Sequence, residues 1–303
     1  MGAVGTRSEG GPDTVPPVDL RIEAASRGVR VEMADEADSL AAARAIFDQV
    51  WPGEGTQVTP NLLRALVHAG AYCSVVIDED SERVVGAALG FPARDASLPG
   101  GVYLHSHMAA VVEGMRDRGI GSAIKQHQRA WAIDQGIPVV SWTFDPLVRR
   151  NAHLNVNRLG VAVRDYHPDF YGVMTDAING GDRTDRLVAW WVVDSERAHA
   201  AARGDLTIPD HEQLLASSRE LIRMDESGPR LSEPPAPGET VLVALPDDVV
   251  SLRRADPELG LQWRLAVRSA LTSAFDAGLR VSAVTSAGAY VLTPEEGQRE
   301  EGP

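Results

Sequence analysis

The sequence predicts an α/β protein built on a mixed sheet, and three observations carry that prediction. Strand-like apolar runs alternate with stretches whose apolar residues recur every three or four positions, from residue 29 to residue 193. A basic turn punctuated by glycine stands between one such run and the helix pattern that follows it. A segment rich in Pro, Ser and Gly, residues 226–239, then separates this region from a smaller block in which strand and helix signals start again.

The elements follow in order. VRVEM (29–33) reads as a strand, and Leu40, Ala43, Ile46, Phe47 and Val50 lie at helical spacing. Thr59 and Pro60 open a second helix through Leu62, Leu63, Leu66 and Val67, which Gly70 stops. AYCSVVI (71–77) and RVVGAALGF (83–91) flank the turn-forming Asp78, Glu79, Asp80 and Ser81 and predict a hairpin. VYLHSHMAAVV (102–112) is a third β-rich run, followed by the basic turn and a helix from Ser122 to Gln135. VVSWTF (139–144), a helix over 149–159 closed by Gly160, and RLVAWWVV (186–193) complete the main region. Residues 1–28 are expected to be a flexible tail, 29–205 the main domain and 206–239 a helix and linker. Residues 240–303 are expected to form a small β-α-β-β extension, too short for a large core of its own. It is expected to pack on the main domain or on a second subunit, as in a homodimer.

With 44% apolar residues the 303-residue chain has the material for a substantial core. A formal net charge of −14 and the lack of a basic stripe argue against nucleic acid as a partner. The lone Cys73 excludes an intramolecular disulfide and a cysteine zinc cluster, and it fits a reducing, cytoplasmic setting. The first 28 residues hold no apolar signal-peptide core, and no run of about 18 apolar residues suggests a membrane span.

The stretch HSHMAAVVEGMRDRGIGSAIK (105–125) concentrates the chemistry. Gly119 and Gly121, between a strand and a helix, let an anion approach free backbone N–H groups at the positive end of the helix dipole. The P-loop pattern G-x-x-x-x-G-K-[ST] is absent, and Ile124 stands where a Rossmann fingerprint needs a small residue. What remains is R-x-x-G-x-G, Arg116 to Gly121. In a strand His105 and His107 point to one face, and imidazole is the side chain best matched to taking a proton near neutral pH.

With this loop in this order of elements, the chain resembles the GNAT superfamily of N-acyltransferases. The resemblance implies a GNAT-type mixed central sheet flanked by helices, acetyl-CoA or another acyl-CoA as cosubstrate, a small-molecule amine as acceptor, and no metal. It implies that Arg116, Asp117, Arg118, Gly119, Ile120, Gly121 and Ser122 hold the pyrophosphate, and that a strand bulge near Val111 and Val112 holds the acyl carbonyl. It implies a cofactor contact for Asn151 and a base role for His105 or His107, with His107 preferred. Counting back from Gly160 puts Val156 where many members carry a tyrosine acid, which leaves Tyr166, Tyr171 or water as the proton source and also leaves a non-catalytic acyl-CoA-binding protein as the alternative. Asp145, Arg149 and Asn155 are candidate acceptor contacts. Residues 142–160, 169–172, 184–187 and 259–292 are similar to a bacterial GNAT branch with a carboxyl-terminal extension, linked to N-succinylation of amino acids.

Overall fold

A computed structural model describes residues 28–52, 56–116, 118–172, 183–225 and 228–295. Residues 1–27, the bulk of the expected tail, lie outside the described residues.

The main region is a seven-stranded sheet in the order β1-β2-β3-β4-β5-β7-β6. Its strands are β1 (Val29–Met33), β2 (Tyr72–Asp78), β3 (Arg83–Arg94), β4 (Val102–Val111), β5 (Val139–Phe144), β6 (Ala162–His167) and β7 (Arg186–Val192). All neighbours are antiparallel except β4 and β5. The mostly apolar run of β2, broken only by the buried Ser74 before Asp78 ends it, follows from burial on both faces. Cys73 and Val75 pack with Leu40 and Phe47 of α1 (Ala37–Val50) and Leu63 of α2 (Pro60–His68). Tyr72 and Val76 point the other way, into the cluster that holds Ile120 and Ile124 of α3 (Ile120–Asp134). The helix pattern that the sequence opens at Ser122 thus starts two residues earlier, because Ile120 is itself a core residue.

After β5, α4 (Arg149–Ala152) continues into a π-helical turn, His153–Arg158, and Val156 is fully buried there. The Asn157 side chain bonds both backbone groups of Val284, with Nδ2 donating to the carbonyl at 2.6 Å and Oδ1 accepting from the amide at 3.0 Å. That bond ties the turn to the carboxyl-terminal region, which contains α5 (Glu196–Arg203), α6 (His211–Leu215), β8 (Arg219–Glu220) and the hairpin β9 (Ile222–Asp225) with β10 (Gly228–Leu231). The hairpin occupies the first part of the Pro-, Ser- and Gly-rich segment. Then come β11 (Val241–Val243), α7 (Val249–Ala255), α8 (Pro257–Asp276), β12 (Leu279–Val284) and β13 (Tyr290–Pro294), with a second sheet ordered β12-β13-β11-β8.

The extension and the main sheet share one core. Val267, Leu271, Val284 and Leu292 belong to the same buried cluster as Val140, Leu187 and Trp191. Among the described residues no helix is long and apolar enough to cross a membrane.

Candidate active site

The site begins where β4 and β5 part. Their parallel pairing is confined to Leu104 with Val140 and His105 with Ser141, although β4 runs on to Val111 and β5 to Phe144. Beyond these pairs the two strands open into a wedge. The Val112 amide donates to the Val85 carbonyl at 2.9 Å, so by the strand alternation Val111 and Ala109 turn their amides away from β3 and into the wedge.

Register between β3 and β4 slips between the pairs Leu89–Met108 and Gly90–Ser106, which leaves His107 as the extra residue of a β-bulge. The bulge is therefore at His107 and not near Val111 and Val112, where β4 is regularly paired with Gly86 and Val85. It also resets which side chains face which way. Leu104 packs in the cluster beneath α3, whereas Met108 and Ala110 pack in the cluster beneath α1. His105 and His107 emerge on the α1 side, their ring centroids 6.1 Å apart, with Phe91 at 5.2 and 5.6 Å from the two rings. Burial lowers the pKa of both imidazoles, and the charges of His107 and Lys125 lower that of His105 further. Neutral imidazole, the form able to accept a proton, is thereby favoured.

The basic turn completes the far end of the wedge. After a short 3₁₀ turn, Glu113–Met115, Gly119 adopts φ +75° at the head of α3, where as N-cap it carries no side chain of its own. A helix N-terminus of this kind is a general anion-binding feature. Arg116 and Arg118 are exposed beside it, with Arg116 Nε 3.4 Å from the Val111 carbonyl. Ile120 and Ser122 are buried, and a β-carbon on Gly121 would sit 3.8 Å from Leu154. Asp117 lies outside the described residues. Asn151 is half-buried in the first turn of α4.

Other expected site residues are engaged elsewhere. Asp145 receives Arg264 at 2.7 and 2.8 Å, Arg253 at 2.9 Å and the Leu147 amide at 2.9 Å. Burial alone would raise its pKa, but the hydrogen bonds and charges of the two guanidiniums more than reverse this and hold the carboxyl well below the usual range. Asp145 is a staple between β5 and the extension, not an acceptor contact. Arg149 likewise reaches the extension, at the Leu245 carbonyl (2.7 Å) and Asp247 (2.8 Å), and Asn155 is buried in the π-helical turn. Tyr166 packs on the α3 side of the sheet, opposite the histidines, and donates to Asp185 at 2.5 Å. It stands three strand positions from β4, about 14 Å across the sheet. Burial and the Asp185 carboxylate push its pKa up, so it is a structural tyrosine. Tyr171 comes nearer: its hydroxyl is 3.2 Å from Thr143, two residues past Ser141 on β5. Cys73 is buried, with its thiol pushed up to about 12 by burial, as suits an inert core residue.

Sequence reasoning missed Lys125. Its Nζ donates to Ser106 Oγ at 2.7 Å and Gln128 Oε1 at 3.2 Å, and lies 3.7 Å from the Trp142 ring centroid. It is fully enclosed, and burial brings its pKa down to about 7. The overlooked signal is compositional: of 29 Lys and Arg residues in the chain, Lys125 is the sole lysine.

Residues 40–159 match the sequence model of the acetyltransferase (GNAT) family. Solved structures match parts of the chain at low identity. The Streptococcus pneumoniae acetyltransferase of the GNAT family matches with 12% identity and a TM-score of 0.43, over 54% of this chain and 98% of that one. The ribosomal-protein-S18-alanine N-acetyltransferase of Escherichia coli matches with 12% identity and a TM-score of 0.43, over 55% and 95%. Arabidopsis thaliana Naa50, solved with a bisubstrate analogue of coenzyme A, matches with 17% identity and a TM-score of 0.41, over 54% and 98%. No curated protein matches the chain.

Proposed function

We propose that this protein is an acyl-CoA-dependent N-acyltransferase that acylates the primary amine of a small molecule, such as an amino acid, by direct attack. The observation that carries this reading is the histidine pair at a strand bulge, beside a wedge that leads to a glycine-headed helix N-terminus. The donor supplies an acyl group activated as a thioester. In this reading the α3 amides and Arg116 and Arg118 bind the pyrophosphate, and Ala109 and Val111 offer amides along the wedge. His105 or His107 takes the proton that the amine must lose. Preorganised backbone donors of this kind supply a large share of the stabilisation in acyl transfer. Acetyl is the acyl group the family favours, and succinyl is the alternative.

The test is incubation with acetyl-CoA and with succinyl-CoA against a pool of amino acids and small amines, following free thiol and product mass. An acylated amine with one donor names both substrates. His105→Gln and His107→Gln are expected to cut kcat, one of them by about 10²–10⁴-fold. The surviving pH profile should lose activity as pH falls through a value below 6.5, because the base pKa values are lowered. Tight coenzyme binding without turnover would instead favour a non-catalytic acyl-CoA-binding protein, and no binding, with Gly121→Trp changing nothing, would refute the reading.

A further inference from the structure

A chain with 28 arginines and one lysine, which together make up its 29 basic residues, has placed that lysine at the one point where the main sheet divides. The last paired residues of β4 and β5 are His105 and Ser141, and the next residue on each strand is Ser106 and Trp142. Lys125 Nζ touches both of these, 2.7 Å from the Ser106 hydroxyl and 3.7 Å from the Trp142 ring centroid. Its ammonium therefore spans the apex of the wedge from the α3 side. His105 and His107 stand at the same apex on the opposite face.

Acyl transfer from a thioester needs two proton transfers on opposite sides of the reacting carbonyl. The attacking amine loses a proton, and the departing thiolate gains one. We propose that Lys125 is the catalytic acid, giving its Nζ proton to the departing thiolate while a histidine across the strands accepts the proton of the amine; this rests on the acyl-transfer reading above. The amine lone pair forms the C–N bond, the C–S pair leaves on sulfur, and an Nζ–H bond breaks as S–H forms. Lysine is left as a neutral amine and histidine as imidazolium, so charge is conserved, and exchange with solvent restores both.

Several features fit this role better than a purely structural one. A guanidinium stays charged at all working pH values, so an arginine, the residue this chain uses everywhere else for positive charge, cannot serve as the donor. Burial brings Lys125 down to about 7, which suits proton donation near neutrality. Its surroundings carry no opposing carboxylate among the described contacts: α3 contributes Gln128, β4 contributes Ser106 with His105 behind it, and β5 contributes the Trp142 ring. The tyrosines are less well placed, Tyr166 being on the wrong face and bonded to Asp185, and Tyr171 further along β5 at Thr143.

The test uses the full chain with Lys125→Met and Lys125→Arg. Both are expected to lower kcat by about 10²–10³-fold with little change in the acyl-CoA KM. The wild-type decline of kcat as pH rises through about 7 is expected to vanish in both, while the acid limb set by the histidines persists. Arginine retains the charge, so equal loss in the two variants assigns the effect to proton donation rather than to electrostatics. Independently of turnover, lysine-selective ¹³C and ¹⁵N labelling places a single side-chain signal in the spectrum of the free protein, and it should titrate near neutrality. A signal that titrates above about 9.5, full activity in Lys125→Met, or full rescue by arginine would each overturn the acid. Wild-type protein inactive with every donor would overturn the acyl-transfer reading and the acid with it.

Discussion

Replacing Asp145 with asparagine tests whether the extension and the main domain are one cooperative structure. The carboxylate sits at the end of β5 and receives three guanidinium hydrogen bonds, two from Arg264, which is fully buried, and one from Arg253. Asparagine keeps the shape but removes the negative charge that both arginines share. Taking one partner from a buried ion pair costs about 3–5 kcal/mol. For a chain of this length about 2–4 °C is lost per kcal/mol, so the midpoint should fall by roughly 6–20 °C. The assay is thermal and urea unfolding followed by circular dichroism and by tryptophan fluorescence. One coincident transition is expected, since both regions share a core. The sign of the pH dependence follows from the depressed pKa: the stabilisation is fully present above the unfolded value near 3.9 and is lost as pH falls toward the lower folded value. The difference between wild type and variant should thus be flat from pH 5 to 8 and shrink only below about pH 4. A loss under about 1 kcal/mol, or two separate transitions, would refute the reasoning.

Tyr166→Phe removes the hydroxyl bonded to Asp185 and should cost about 1–2 kcal/mol of stability while leaving kcat within a few-fold of wild type, measured by urea unfolding and the thiol assay. A collapse of kcat would restore Tyr166 as a catalytic candidate. Gly119→Ala forces a β-carbon into φ +75° and should cost about 1–2 kcal/mol, with weaker coenzyme A binding by calorimetry as the helix N-terminus shifts. Asn157→Ala breaks the paired bonds to Val284 and should destabilise the chain by about 1–3 kcal/mol, seen as loss of amide-exchange protection at Val284.

Local patterns in the sequence carried the sheet from β1 to β5, because apolar runs, turn residues and glycine stops are short-range signals. The glycine-punctuated turn was equally legible, since Gly119 and Gly121 interrupt an otherwise continuous strand-to-helix passage. Strand β6 escaped notice because Ala162–His167 is polar on an edge, with a bulge between Val163 and Tyr166. The bulge at His107 was misplaced to Val111 and Val112, since one extra residue in a ladder leaves no mark in a single strand's composition. Asp145 and Arg149 looked available because their partners arrive from far along the chain. Lys125 was hidden by position: it falls within a helix whose periodicity marks it only as one polar residue among Gln126, Gln128 and Arg129, all of them buried.

The Asp145–Arg264 pair joins residues separated by 119 positions. At about 5–20 residues per second, a ribosome takes roughly 6–24 s to travel that distance. During this interval the nascent sheet has its acidic staple buried beside nothing, and the apolar face awaiting α8 is bare. The main region is therefore born incomplete and depends on residues translated well after it. A nonsense change or a protease cut ahead of Arg264 should therefore remove the main region from the cell together with the extension.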